Sequence, residues 1–406
     1  MDKRDKRVID VTENVKWVGV LDYDIVTFDI VMKTEFGTTY NSYLIDAEKT
    51  ALVETVKEKF WPIYLEKLQS VTDISKISYI ILDHTEPDHS GSLRYLLEIA
   101  PDAVVVGSGN AIRYLSEMVP GNFKSLVVKD GDQLDLGNKT LRFISAPNLH
   151  WPDSIYTYLE EDKLLFTCDS FGAHFCNSEL FDDQVGDYSE SFKYYFDVIL
   201  KPFSKFMLKA IERISDLDIE AICPGHGPVL RSTWMEKVQI SKDYALEYIS
   251  LTSERKVKNV LICYVSAYGY TREMAAAIKM GVESGGTAMA TLLDIENIEM
   301  GDLEAEMVKC DALLVGSPTI NQNTLFPVYR LFSVINPLRD KGKLAGAFGS
   351  YGWSGEAPRI IADNLRNLKL TVFGETAGFK FMPDEEKTIE LVAFGSRFAY
   401  ALAKCE

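Results

Sequence analysis

The sequence predicts an α/β protein built as two successive domains, the second a doubly wound parallel sheet. Three observations carry that expectation. Short apolar runs that read as buried strands recur along all 406 residues, each ending in polar residues. A polar, charged stretch, Thr252-Ser-Glu-Arg-Lys-Val-Lys258, breaks the pattern and reads as a junction, giving domains 1–254 and 255–406. Beyond it, three strand-then-loop units follow one another, at Asn259–Val265, Ala312–Gly316 and Leu344–Phe348. Loops at the carboxyl ends of neighbouring parallel strands are the geometry of a topological switch point. The length agrees, since roughly 150 residues per domain suggests two or three.

Composition narrows the function. Hydrophobic content of 47% and charged content of 25% are those of a soluble globular chain. A net charge of -17 argues against a nucleic-acid or anionic-membrane surface, because both need a basic face. No stretch approaches the ~18–20 apolar residues of a membrane span. The start, Met1-Asp-Lys-Arg-Asp-Lys-Arg7, leads into no apolar core, so export is not expected and a cytoplasmic location is. Cysteines at 168, 176, 223, 263, 310 and 405 form no C-x-x-C pair. That usage fits a reducing compartment and excludes a rubredoxin-type or iron–sulfur module.

In chain order, residues 15–60 alternate apolar and polar with glycine breaks and read as antiparallel strands. The run Tyr79-Ile80-Ile81-Leu82 then leads directly into His84-Thr-Glu86-Pro-Asp88-His89. Ser90 is expected to cap the helix that follows, with Leu93, Leu96, Leu97 and Ala100 on one face. Ala103–Val106 and Leu141–Ile144 are further short strands, the latter soon followed by Leu149-His150-Trp151-Pro152-Asp153-Ser154. Leu164-Leu-Phe166-Thr runs into Cys168-Asp169, and Ile219–Cys223 into Pro224-Gly225-His226-Gly227-Pro228.

Four strand-like runs therefore end in His84 to His89, His150, Asp169 and His226, on what is expected to be the rim of one sheet. Taken singly, His150 caps a turn and His226 sits in a glycine-rich loop. Jointly they gather four of the five histidines in the chain with Glu86, Asp88 and Asp169. That is too many for one tetrahedral zinc and enough for two metals sharing a bridging carboxylate.

In the second half, the strand Asn259–Val265 runs into Ser266-Ala267-Tyr268-Gly269-Tyr270-Thr271 and a helix over Met274–Val282. Hydroxyls and free amides at a helix start make an anion site. The loop lacks the Gly-Lys-Ser/Thr ending of a triphosphate loop and the G-x-G-x-x-G of dinucleotide binding. It is similar to the FMN phosphate loop of flavodoxins, which hold the phosphate without a nearby cation. The second unit ends in Ser317-Pro318-Thr319-Ile320-Asn321-Gln-Asn323 and the third in Ser350-Tyr351-Gly352-Trp353-Ser354-Gly355. Gly352 and Gly355 allow close approach to a ring, which Tyr351 or Trp353 could flank.

The order His84-x-Glu86-x-Asp88-His89, His150, Asp169, His226 resembles the metallo-β-lactamase superfamily, with Glu86 where a second histidine is usual. An oxygen ligand there shifts preference from zinc toward iron. With the flavin loops, the whole chain resembles the flavodiiron proteins, or A-type flavoproteins. The resemblance implies a metallo-β-lactamase-like αββα sandwich followed by a flavodoxin-like domain, two non-haem irons per chain, and FMN. It implies that His84, Glu86 and His150 hold one iron and Asp88, His89 and His226 the other, with Asp169 bridging. The implied reaction is reduction of dioxygen to water or of nitric oxide to nitrous oxide, protecting an anaerobe. A separate rubredoxin or a reduced deazaflavin coenzyme is the implied donor, and a head-to-tail homodimer, or a tetramer of such pairs, the implied assembly.

Two further residues are candidates for catalysis. His174, five residues past Asp169, either orients a ligand, supplies protons, or simply packs. Tyr195 lies in an aromatic cluster where relatives carry a tyrosine near the irons, a position for a proton donor. Two rival readings are a zinc lactonase or thioesterase carrying a flavodoxin sensor, and a non-catalytic electron carrier. Glu86 speaks against the first, and seven filled ligand positions against the second.

Overall fold

In the computed structural model, which describes residues 5–28, 32–251 and 255–405, the chain divides into units Met1–Tyr248 and Ile249–Glu406. The expected boundary after residue 254 falls on residues outside the described ones. The first unit holds a seven-stranded sheet ordered Ile9–Asp10, Val15–Trp17, Tyr43–Ile45, Ala51–Val53, Tyr79–Ile81, Val104–Gly107, Lys124–Val127. Its first strands pair antiparallel, and pairing is parallel from Ala51–Val53 onward. A second sheet of five runs Gln133–Asp135, Thr140–Ser145, Ile155–Leu159, Leu164–Cys168, Ala221–Pro224, antiparallel except for the last pair.

The period-2 alternation of strands explains the layering. Tyr43, Ile45, Val53, Ile81 and Val106 of the first sheet share one core with Leu141, Phe143, Leu159, Phe166 and Cys223 of the second. Their neighbours Leu44, Leu52, Ile80 and Val105 belong instead to the core that holds Tyr64, Leu68, Leu93 and Leu96 of helices Trp61–Val71 and Leu93–Ile99. Helix, sheet, sheet, helix is the resulting order of layers. Each buried large side chain contributes roughly 1.5–3 kcal/mol. A one-residue slip of Tyr79–Ile81 would turn Ile80 and Ile81 over together, so the core also fixes where His84 emerges.

Several expectations need correction. The antiparallel reading of residues 15–60 holds through Val53, but Glu58–Phe60 is a 3-10 turn. Ser90 does not cap the following helix. Pro87 opens a four-residue helix, Pro87–Ser90, because its fixed φ suits a first helical position, and the longer helix begins only at Leu93. The Ser90 hydroxyl donates to the Thr85 carbonyl at 2.8 Å instead. The ligand-bearing strands also belong to two sheets rather than one: Tyr79–Ile81 to the first, Leu164–Cys168 and Ala221–Pro224 to the second.

The second unit is a five-stranded parallel sheet ordered Ala288–Asp294, Lys258–Tyr264, Ala312–Gly316, Leu344–Tyr351, Thr371–Lys380. Numbered by sequence this is 2-1-3-4-5, the flavodoxin-like order, with its switch point between the first and third strands. Strand four extends to Tyr351, so Ser350 and Tyr351 lie on the strand and not in the loop expected there.

One buried cation in the first unit sets a pH dependence. Lys67 is 1% exposed, donates to the Gly19 carbonyl, and lies 4.0 Å over the Trp17 ring. Burial pulls its pKa from 10.5 to about 7, against Asp5, which raises it, while Arg7 adds to the lowering. The unfolded chain then binds more protons between pH 7 and 10.5, so this residue makes stability rise with pH across that window. The penalty below pH 7 is of the order of a few kcal/mol. Urea unfolding of Lys67→Met should show a higher midpoint than the parent at pH 7 and a smaller gain between pH 7 and 9. An unchanged pH slope would contradict this account.

Candidate functional site

Strand Tyr79–Ile81 delivers a buried turn that is fixed from three directions. Glu54 accepts the amides of Asp83 and His84 at 2.8 and 3.2 Å. Asp83 accepts the Thr157 hydroxyl at 2.5 Å. Asp153 accepts both the amide and the hydroxyl of Thr85 at 2.8 Å. With Pro87 starting the short helix, Asp88 and His89 turn inward beside Glu86 and His84. Asp169 follows strand Leu164–Cys168, where Cys168 adopts φ 47, a sparsely occupied conformation often found at functional sites. His226 follows Ala221–Pro224 between two constrained glycines. A Cβ on Gly225 would stand 2.7 Å from His89 Cε1, and Gly227 has φ 78.

All seven expected ligands converge, in two groups divided by one carboxylate. Asp169 Oδ2 lies 3.5 Å from both His84 Nε2 and His150 Nε2, while Glu86 Oε2 lies 3.2 and 3.0 Å from the same two nitrogens. Asp169 Oδ1 lies 3.3 Å from His89 Nε2 and 3.6 Å from His226 Nε2, and Asp88 Oδ2 lies 3.5 and 3.0 Å from those. Every imidazole presents Nε2 inward. His226 Nδ1 donates to the Thr39 carbonyl at 2.6 Å, which leaves Nε2 as the lone-pair nitrogen, and His84 Nδ1 lies 3.2 Å from Asp153 Oδ2.

This donor set fits two cations. Both oxygens of Asp88, both nitrogens of His89 and Asp169 Oδ2 are buried and make no hydrogen bond. Such atoms cost about 1–3 kcal/mol each when nothing partners them. The electrostatics agree. Burial would raise the Asp169 pKa, yet His89, His84 and His150 overcome it and hold the group well below the carboxylate range. Burial likewise opposes charge on His89, but Asp88 and Asp169 lift it to about 10. The cluster draws positive charge.

His174 and Tyr195 both adjoin this cluster. The Tyr195 hydroxyl donates to Asp169 Oδ1 at 2.9 Å. His174 Nδ1 lies 2.9 Å from the Thr38 hydroxyl, its ring 5.1 Å from that of His226, and its Nε2 has no hydrogen-bond partner. It also lines a cavity of about 380 Å³ with Glu35, Glu190 and Asp197. Asp153, Thr39 and Glu54 were not singled out from the sequence. Asp153 stands three residues after His150, and that proximity was the one available signal.

In the second unit the three loops meet at the strand ends. Tyr270 and Thr271 occupy the first turn of helix Tyr270–Glu283, which starts earlier than expected, after Gly269 at φ 85. The Thr271 hydroxyl lies 2.9 Å from that of Ser350, the Thr319 amide donates to the Ser350 carbonyl at 2.8 Å, and the Ala357 amide to the Thr319 hydroxyl at 3.1 Å. Tyr268 and Trp353, in the first and third loops, are 80% and 86% exposed. The ring packed on Gly355 is that of Tyr351.

Comparison with known proteins agrees with both halves. Residues 38–227 match the ODP family beta lactamase model and residues 262–395 the flavodoxin model. The flavo-diiron protein FprA2 of Clostridium acetobutylicum is 42% identical over 97% of this chain and 99% of its own length. This chain belongs to the flavodiiron protein family. The type A flavoprotein of Rhodobacter capsulatus is 37% identical over 96% of the chain and 90% of its own. Among solved structures, the rubredoxin oxygen:oxidoreductase of Desulfovibrio gigas matches with a TM-score of 0.70 at 29% identity, covering 98% of this chain and 99% of that one. The flavodiiron protein of Giardia intestinalis matches with a TM-score of 0.67 at 30% identity, covering 98% of each. Flavodiiron proteins are oxidoreductases that bind FMN and a non-haem di-iron centre. No helix among the described residues is long and apolar enough to cross a membrane.

Proposed function

We propose that this flavodiiron protein reduces dioxygen to water, or nitric oxide to nitrous oxide, with electrons supplied through FMN, and so removes oxidants in an anaerobe. The observation that supports this best is the division of the cluster by Asp169, each of whose oxygens faces a separate group of ligands. His84, Glu86 and His150 hold one iron in this reading, and Asp88, His89 and His226 the other, with Asp169 between them. Such a centre, when bound, supplies paired open sites for a diatomic and a route for electrons to it.

The chain's own groups orient and protonate. Thr39 and Asp153 fix the histidine tautomers. Tyr195 steers Asp169 through its hydroxyl, a proton-bearing group beside the site, and His174 joins the cluster to a cavity with three carboxylates. The loops Ser266–Thr271, Ser317–Asn323 and Ser350–Gly355 hold FMN, and the functional boundary lies at 254/255. A separate rubredoxin, the donor in the name of the Desulfovibrio gigas relative, or a reduced deazaflavin coenzyme provides electrons. Two chains pair head to tail so that the FMN of one serves the irons of its partner. A chain with His89→Ala and His226→Ala, co-expressed with a Gly269→Val chain, should then regain turnover that neither variant has alone.

Metal identity separates this reading from a hydrolase. Glu86 supplies a hard oxygen donor where a histidine would favour zinc. Protein produced with iron present should carry about two irons per chain, as a two-metal site requires. Mainly zinc together with lactone or thioester turnover would replace the proposal. Gly225→Ala tests the packing of the iron side that includes His89. The new methyl would meet His89 Cε1 at 2.7 Å, so the ring must shift. Overpacking of this kind costs about 1–3 kcal/mol. Iron content should fall toward half, with a lower melting temperature, and full iron retention would contradict the placement of His89.

A further inference from the structure

The loop expected to hold a phosphate without a cation has one beside it. Arg272 is the third residue of helix Tyr270–Glu283, and its guanidinium curls back over the loop before the helix. A Cβ built on Gly269 would lie 3.4 Å from Arg272 Nη2 and 4.0 Å from its Cζ. Meanwhile the Arg272 amide donates to the Ser266 hydroxyl at 3.3 Å, so backbone and side chain of one residue both reach the loop. None of the three loops, 266–271, 317–323 and 350–355, contains a charged residue. Among the described residues the guanidinium pairs with Glu273, whose carboxylate lies 3.6 Å from Nε, while Nη2 faces Gly269.

We infer that Arg272 is a phosphate-selecting residue that pairs with the 5′-phosphate of the bound flavin and sets the preference for FMN over riboflavin. The inference rests on the assignment of these loops to FMN made above. A phosphate monoester carries nearly two negative charges at neutral pH, and the chain carries a net charge of -17. Helix amides alone would have to hold that dianion against the field of the whole protein. A guanidinium with paired N–H donors offsets the repulsion and matches phosphate geometry. Glu273 acts in the opposite sense, drawing charge away from the phosphate. The pair thus tunes flavin retention from one position on each side of the balance.

The test uses full-length protein freed of flavin and titrated with FMN and with riboflavin at low and high salt. Arg272→Gln should weaken FMN about tenfold at low salt, the loss of one charge-assisted pair. It should leave riboflavin within twofold and flatten the salt dependence of FMN binding. Arg272→Lys should recover most of the affinity, and Glu273→Gln should tighten FMN. An Arg272→Gln variant that binds FMN like the parent, or that loses FMN and riboflavin equally, overturns the role of Arg272 while leaving the loops assigned. Parent protein that takes up neither flavin overturns the loop assignment itself.

Discussion

Asp169→Asn is expected to abolish the paired metal site, leaving at most about one iron per chain and no turnover. The substitution keeps the shape of the side chain and removes its charge. Asp169 faces two groups of ligands at once, 3.5 Å from His84 and His150 through one oxygen and 3.3 Å from His89 through the other. An amide offers one acceptor and turns an NH₂ toward the opposite imidazoles, so one of the two groups must lose its shared ligand. Breaking one partner of a buried charge cluster typically costs about 3–5 kcal/mol. The Tyr195 hydroxyl loses its charged acceptor as well, and keeps a neutral one only if the amide oxygen faces it. Elemental analysis checks the outcome, and FMN content should stay unchanged. An Asp169→Asn protein with full iron would show that Asp169 does not bridge.

Gly269→Val should produce the mirror image: a nearly colourless protein that keeps its iron. Gly269 has φ 85, a conformation that strains any residue with a Cβ and a β-branched one most. A side chain there would also push on Arg272 at 3.4 Å. The strain is about 1–3 kcal/mol, falling on the turn proposed to hold the phosphate. Flavin released by heat from the parent should chromatograph as FMN, and the variant should release about a tenth as much or less. Thr271→Ala should act more mildly. The Thr271 hydroxyl is engaged with Ser350, so its loss loosens the contact between two loops in addition to removing a donor.

The clustering of the seven expected ligands was legible because their signal is local and rare. Four of five histidines stand just after apolar runs, and a buried strand leaves its end residues little choice of place. The parallel order of the second sheet was legible from three consecutive strand-then-loop units for the same reason. What could not be read depends on contacts distant in sequence. Glu54 meets His84 across 30 residues, Asp153 across 69, and the Thr39 carbonyl reaches His226 across 187. Nothing in the spacing of these residues marks the pairing. That the ligand strands come from two sheets was hidden likewise, since a strand does not declare its neighbours. Ser90 misled because a serine before an apolar helix has the form of a cap, whereas Pro87 had already started a turn. Arg272 was missed because the direction of a long side chain is set by packing and not by position.

In the proposed reaction, reducing equivalents from FMN reach a paired metal site and leave it as water or nitrous oxide, with no hydrogen peroxide released. Anaerobically reduced protein should therefore be mixed in a stopped-flow instrument with dioxygen and, in parallel, with nitric oxide, with flavin absorbance, hydrogen peroxide and nitrous oxide followed. The account predicts rapid flavin oxidation by at least one oxidant, without peroxide from dioxygen or with nitrous oxide from nitric oxide, and loss of that reaction in Asp169→Asn. Slow flavin oxidation that releases one peroxide per flavin, at the same rate in parent and Asp169→Asn, would contradict it.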